Sequence, residues 1–531
     1  MSGAHDTVIV GGGHNGLVAA FYLARAGLRP LVLERRPIVG GACVTEEFAP
    51  GFRASTGAYV ISMLRDAVWS DMRLPARGIT IDAAGPSLYA FPGGERLLIG
   101  DDLAAAQREV RRFSAADADA LPRFESDLAR LAALIAPLMD TTPPDPARVR
   151  VRDLGDLARL LARGLRNRKS INDAAYLFGT SATQFLDEYF ESEVVRAAFG
   201  WHAINDSMAG PSTPGTAYVL LHDHAAEQAG GGVRTWGFVR GGIGRVTEAM
   251  ADAAREAGAV IRTEAEVERL IVDRGAVAGV RLTDGEEIAA RRVLSNADPK
   301  RTFLDLVDGE ELPARFAAAV RAYRCEGTSV KINLGLERLP EVAGMPPGEQ
   351  AYQGGIMEFG PFIAGMDRAQ AEAREGRPAM DPHIEACVPT VHDPELAPAG
   401  MHVMTIDINS QPYTLADGEW DALSDDVADR AIAKLETYMP GLEGSIAHRQ
   451  VLSPLDLERR FYMTGGHALH GDMAFDQLFT LRPVRGWARY ATPIEGLWLC
   501  GAGTHPGGGV SGANGRNCAR EILRGRRGQR T

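Results

Sequence analysis

Residues 11–16 read Gly11-Gly12-Gly13-His14-Asn15-Gly16, a G-x-G-x-x-G placed directly after the apolar run Thr7-Val8-Ile9-Val10. That order suits a pyrophosphate. Gly11 permits a tight turn, Gly13 lets the backbone approach phosphate, and Gly16 lets a helix pack closely on the strand. The first-turn N–H groups, Asn15 among them, and the positive end of the helix dipole then face the anion. Farther on, Leu31-Val32-Leu33 ends in Glu34, where a carboxylate accepts from both ribose hydroxyls of an adenosine and disfavours a 2′-phosphate. A bare glycine-rich turn does not account for Glu34. Strand, helix and acid in register point to dinucleotide binding.

Other residues could move protons. Lys331 lies in Thr328-Ser329-Val330-Lys331-Ile332-Asn333-Leu334, a strand whose alternation puts it on one face with Ser329 and Asn333. It reads either as an edge lysine paired with a carboxylate or as a group reaching into a site. His505, His467 and His470 stand in or near glycine-rich loops, where a histidine can transfer protons or simply bond the backbone. Lys331 and His505 are the catalytic candidates. Cys43, Cys325, Cys387, Cys500 and Cys518 are odd in number and scattered, with no Cys-x-x-Cys pair, so neither a disulfide framework nor a metal site is expected.

The elements that must position these groups come in separated pieces. After the first strand–helix–strand unit, Phe238-Val239-Arg240-Gly241-Gly242-Ile243-Gly244 opens a second segment. It continues with a helix over 245–257, strands at 260–262, 267–272 and 277–282, and a last one in Val293-Leu294-Ser295-Asn296-Ala297. A third segment begins with the strand Gly496-Leu497-Trp498-Leu499-Cys500 and runs through Gly501-Ala502-Gly503 to a helix around 517–523. Residues 507–512 formally spell another G-x-G-x-x-G. They lie well past the strand end, with no acid-tipped strand after them, so a second nucleotide site is not expected. Residues 85–235 are mostly helical by pattern. Residues 300–460 mix strands at 329–336 and 402–408 with a helix at 428–438.

The chain has 531 residues, enough for three or four domain-sized units at about 150 each. Its net charge is −12, which argues against nucleic acid as a partner, since phosphate binding needs concentrated positive charge. Only four of the 57 basic residues are lysines (Lys169, Lys300, Lys331, Lys434), so the position of Lys331 carries some information. There is no apolar run of about 18 residues and no charged leader-like tract before Thr7, so the expected location is the cytoplasm. Residues 153–169 place Leu154, Leu157, Leu161 and Leu165 at helical spacing among arginines. This is either a packing helix with snorkelling arginines or a peripheral contact to an anionic membrane.

The strings GGHNGLVAAFYLARAG, LERRPIVGGACVTEEFAPGFRAS, LHGDMAFDQLFTLRP and LWLCGAGTHPGGGVSGANGR resemble the phytoene-desaturase-related flavoproteins. Within these they are most similar to the pyridine nucleotide-disulphide oxidoreductase domain-containing protein 2 group. The resemblance implies an α/β fold. It comprises a Rossmann-like FAD-binding domain of the amine oxidase/phytoene desaturase type (1–84, 236–299 and 461–531) and an α+β substrate domain (85–235 and 300–460). It implies non-covalent FAD. Gly40 and Gly41 would lie along the flavin-side phosphate with Arg35 or Arg36 beside it, Val267 would offer backbone to the adenine, and Ala297 would sit on the segment returning toward the flavin. Gly501, Gly503, Val510, Gly512 and Ala513 would bring a helix N-terminus to the ring edge, where its dipole stabilises negative charge. A strand lysine placed like Lys331 reaches the flavin N5 through a water in flavin amine oxidases.

The implied activity is oxidoreduction, with hydride passing from an apolar, polyene or lipid-like substrate to flavin N5. The alternative is a flavoprotein with a regulatory or partner-binding role. Self-association into a homo-oligomer stays open. Dithiol chemistry is disfavoured because no second cysteine stands near enough to resolve a mixed disulfide. The chain also reads Phe52-Arg53-Ala54-Ser55-Thr56-Gly57-Ala58 where desaturases carry F-D-x-G-P, which argues against a carotenoid.

Overall fold

The computed structural model describes residues 5–144, 168–204, 207–227, 236–345 and 351–528. Among the described residues the strands gather into two principal sheets and several small ones. The first is five-stranded and parallel, in the order β12 (Leu497–Leu499), β6 (Val293–Ser295), β1 (Thr7–Val10), β2 (Pro30–Leu33), β5 (Val260–Arg262). β1 and β2 are buried along their whole length, as continuous apolar runs covered on both faces must be. One face packs on helices α1 (His14–Arg25), α4 (Gly244–Glu256) and α6 (Ala513–Gly528). The other packs on the antiparallel meander of Val267–Asp273, Ala276–Leu282 and Glu287–Ala289. All five strands fall within 1–84, 236–299 and 461–531.

α1 begins at His14, so the end of the glycine fingerprint forms its first turn. Packing demands the glycine there: a Cβ on Gly16 would stand 2.4 Å from the carbonyl oxygen of Gly11. α6 meets α1 equally closely, since a Cβ on Gly515 would stand 2.0 Å from the Asn15 carbonyl oxygen.

The second sheet is mixed and seven-stranded. Its order is β11 (Ile446–Leu452), β7 (Thr328–Leu336), β10 (His402–Gln411), β9 (Ile384–Cys387), β8 (Ile356–Phe359), β3 (Ser87–Ala90), β4 (Arg96–Ile99). Its strands fall within 85–235 and 300–460. One face is apolar and carries Val330, Ile332, Ile406, Ile384 and Met357 against helix α5 (Trp420–Tyr438). α5 starts eight residues before the 428–438 expectation, because Trp420 is itself buried at its first turn, donating its indole N–H to the Pro412 and Tyr413 carbonyls. Strict alternation places polar residues on the opposite face. Helices α2 (Ala115–Met139) and α3 (Thr216–Glu227) pack beside this sheet around Phe91, Phe124 and Trp201.

No helix among the described residues is long and apolar enough to cross a membrane. Residues 153–167 of the basic leucine-spaced segment lie outside the described residues.

Candidate active site

A cleft of about 350 Å³ runs from the glycine fingerprint of the parallel sheet to the polar face of the mixed sheet. This is within the ordinary range for small-molecule sites. At one end it is lined by Gly11, Gly13, Asn15, Glu34, Gly40 and Gly41, with Val267 and Ala297 beside them. The two glycine loops touch directly. Gly13 and Gly40 form a parallel bridge, and the Gly40 N–H donates to the Gly12 carbonyl at 2.9 Å. A Cβ on Gly41 would press to 3.3 Å from Gly13 Cα. Gly11 needs its glycine for another reason: its φ is +93°.

Glu34 is buried, and its carboxylate accepts from the Gly12 N–H at 2.8 Å and from the Arg36 N–H at 2.9 Å. The first turn of α1 has no side-chain cap and no acid, so its N–H groups are left for a ligand in the cleft. Arg36 pairs with Glu46 at 2.5 Å, and its Nη1 is buried without a hydrogen-bond partner at the cleft wall. An uncapped helix N-terminus, an orphaned guanidinium nitrogen and an acid-tipped strand together fit the diphosphate and ribose of a dinucleotide.

Arg35 does not fit the phosphate role expected of it. Its guanidinium borders the cleft but donates to the carbonyls of Arg459 (2.5 Å) and Arg460 (2.9 Å) and stacks on Tyr462, 4.6 Å from the ring centre. It ties the segment after β2 to the end of the helix Pro454–Phe461.

In the C-terminal segment, Ala502, Gly508, Gly509 and Val510 line the cleft. Gly501, Gly503, Gly512 and Ala513 do not. A Cβ on Gly501 would stand 2.5 Å from the Asn296 carbonyl oxygen, and one on Gly503 2.3 Å from Pro299, so both are small for packing. Gly512 takes φ +69° at the turn into α6, and the Ala513 N–H bonds Ser511 Oγ at 3.2 Å.

The far end of the cleft carries Tyr59, Trp236, Ser329, Lys331, Glu385, Asp407 and Asn409, with Val60, Met63, Val219 and Met473 among its apolar walls. Lys331 is 2% exposed, and its ammonium nitrogen stands 3.8 Å from the centre of the Tyr59 ring. Register aligns the charged groups. Lys331 faces Asp407, Asp407 faces Glu385, and Glu385 faces Glu358, each on the adjacent strand. The Tyr59 hydroxyl donates to Glu385. Burial, then the neighbouring Glu358, pushes the Glu385 carboxyl far above its usual range. Burial also raises Asp407, with Lys331 opposing it.

The histidines divide. His505 is buried outside the cleft lining, 2.9 Å from the Leu138 carbonyl through Nε2, with burial holding its ring down to about 4; it ties the C-terminal loop to α2. His467 Nε2 lies 3.0 Å from Asp472 and is likewise structural. His470 does line the cleft, held to about 4 by burial, and so do His14 and His222, for the same reason. The stretch around Gly471–Gln477 is organised by fully buried Arg482, which donates to the carbonyls of Leu469, Gly471, Asp472, Gln477 and Ala502. Tyr59, Glu385, Asp407 and His222 were missed from the sequence. The one available signal was an acid in the middle of each apolar strand, in Ile384-Glu385-Ala386 and Ile406-Asp407-Ile408.

The model of the family described as flavin containing amine oxidoreductase matches residues 16–523. The pyridine nucleotide-disulfide oxidoreductase domain-containing protein 2 of Rattus norvegicus is 39% identical over 98% of this chain and 93% of its own length. A limonene dehydrogenase polypeptide of Castellaniella defragrans is 28% identical over 97% of this chain and 94% of its own. Among solved structures, wild-type putrescine oxidase bound to putrescine superposes with a TM-score of 0.61 at 17% identity, over 98% of this chain and 99% of the other, a likeness of fold.

Proposed function

From the premise that the chain belongs to the flavin containing amine oxidoreductase family and is an FAD-dependent oxidoreductase, we propose that it dehydrogenates an apolar, polyene- or lipid-like substrate. Bound FAD supplies the acceptor for a hydride from a substrate C–H bond. The observation that carries the reading is the continuity of one cleft from the nucleotide-binding glycines to Lys331.

Gly11, Gly13, Asn15 and Glu34 would hold the adenosine and diphosphate, and Val267 and Ala297 border the same passage. Met63, Val219, Trp236, Leu469 and Met473 would receive the substrate, exclude water and orient its C–H bond. Lys331, desolvated and held over Tyr59, is the group placed to carry or position a proton at that end. The likeness to a limonene dehydrogenase supports an apolar substrate, since limonene is a hydrocarbon.

The test is acid denaturation of the purified protein followed by mass spectrometry. Recovery of intact FAD together with an apolar co-purifying molecule supports the proposal. Recovery of FAD with a highly charged metabolite in the cleft contradicts it.

A further inference from the structure

We propose that Glu385 and Glu358 share a proton at the cleft wall, and that through Tyr59 this pair sets the position of the Lys331 ammonium. The inference rests on the FAD-cleft reading and deepens it by assigning Glu385, Glu358 and Tyr59 as positioning residues.

Geometry carries the argument. Lys331, Asp407, Glu385 and Glu358 stand directly opposite one another across four adjacent strands. Such partners sit about 5 Å apart at Cβ, where like charges destabilise a sheet. Lys331, Glu385 and Glu358 are each 5% exposed or less. One ammonium balances one carboxylate, and Asp407, opposite Lys331, is the nearer. Of two further carboxyls this close and this buried, one keeps its proton.

Each carboxyl accepts one hydrogen bond, which by itself favours its charged form, so the retained proton follows from the crowding of buried acids and not from these bonds. Glu385 accepts from the Tyr59 hydroxyl. Glu358 Oε2 lies 2.6 Å from His383 Nε2, and the amide nitrogen of Asn409 donates to His383 Nδ1 at 3.1 Å, which leaves Nε2 as the proton-bearing nitrogen. Burial holds His383 neutral, down to about 3, and burial raises both glutamic acids.

The remaining groups facing the row come from every side. Ser329 shares the strand of Lys331, and Cys387 that of Glu385. Tyr89 stands opposite Glu358 on β3 and bonds His202 at 2.9 Å. Trp201 lies against the His383 ring. Lys434 on α5 is engaged by Asp381 at 2.5 Å. While the pair keeps its proton, the wall is balanced and Tyr59 stays fixed beneath Lys331. Loss of the proton adds a negative charge at Glu385, draws Lys331 toward the sheet and makes the cleft less hospitable to electrons.

The test compares wild type, Glu358→Gln, Glu385→Gln and Tyr59→Phe by two readouts. One is the infrared pH-difference spectrum. The other is the midpoint potential of bound FAD against pH, using dithionite with a reference dye. The proposal expects a carboxylic-acid band in wild type that disappears on the alkaline side of neutrality, with a downward break in potential over the same interval. Both are lost in Glu358→Gln and Glu385→Gln. Tyr59→Phe keeps the band and loses the break. Absence of the band in wild type, or its persistence unchanged in both glutamine variants, overturns the shared proton. A potential line that is the same in all four proteins overturns the coupling to Lys331. Protein that carries no FAD contradicts the functional reading instead, and the infrared arm still decides the pair.

Discussion

The ammonium nitrogen of Lys331 and the aromatic ring of Tyr59 meet at 3.8 Å, although 272 positions separate them in the chain. The contact joins a strand of the mixed sheet to the segment that follows the antiparallel pair Thr45–Ala49 and Phe52–Ser55. It therefore places the cation at the end of the cleft away from the glycine loops. Lys331→Met keeps the stem and removes the charge. It should leave FAD bound while slowing reoxidation of the reduced protein by oxygen about 100-fold. Stopped-flow absorbance of the flavin reads this directly, and unchanged reoxidation with full FAD occupancy would remove Lys331 from the chemistry.

Glu34 is expected to act at the opposite end. Its carboxylate organises the Gly12 and Arg36 N–H groups and faces the ribose position. Glu34→Ala should raise the FAD dissociation constant by about 30-fold, or about 2 kcal/mol, as measured by flavin fluorescence on release. An affinity within twofold of wild type would mean that the ribose is held elsewhere.

Acid sensitivity should trace to Asp472. Burial alone would raise this carboxyl, but His467 at 3.0 Å and the N–H groups of Glu326 (2.8 Å) and Gly327 (3.3 Å) hold it down to about 2. A depressed folded-state value stabilises the protein above the unfolded-chain value of about 3.9. That stability, roughly 2–3 kcal/mol, is lost as pH falls through about 2. Asp472→Asn should therefore lower stability to urea at pH 7 and shallow its fall between pH 5 and pH 2. Parallel stability–pH curves for the two proteins would refute the assignment.

Among the described residues Arg482 has no carboxylate partner; it donates to five carbonyls and is fully buried. Arg482→Lys supplies a charge but not the planar fork, so it should cost at least about 3 kcal/mol, close to Arg482→Met. If lysine restores wild-type stability in thermal melts, charge and not bond geometry holds the loops of 469–477 and 502.

The nucleotide end was legible because its information is local. Gly11, Gly13, Gly16 and Glu34 work through turns, close packing and a strand end, all set by spacing along the chain. Alternation likewise put Lys331 on one face with Ser329, and both reach the cleft. The partners of Lys331 were hidden, because which acid stands opposite depends on cross-strand register among strands up to about 80 residues apart. Motif position also misled. Arg35 follows the acid as a phosphate ligand would, yet its Nη2 is used by the end of the helix Pro454–Phe461. His505 sits in the glycine loop, yet α2, more than 360 positions away, takes its ring nitrogen.

Anaerobic mixing of the FAD-loaded protein with a panel of apolar alkenes, terpene alcohols and fatty acyl compounds tests the account most directly. The account predicts that at least one apolar member bleaches the flavin absorbance in a saturable way and yields a product two hydrogens lighter. A flavin that dithionite reduces fully, but that only charged, water-soluble members of a control panel can bleach, would contradict it.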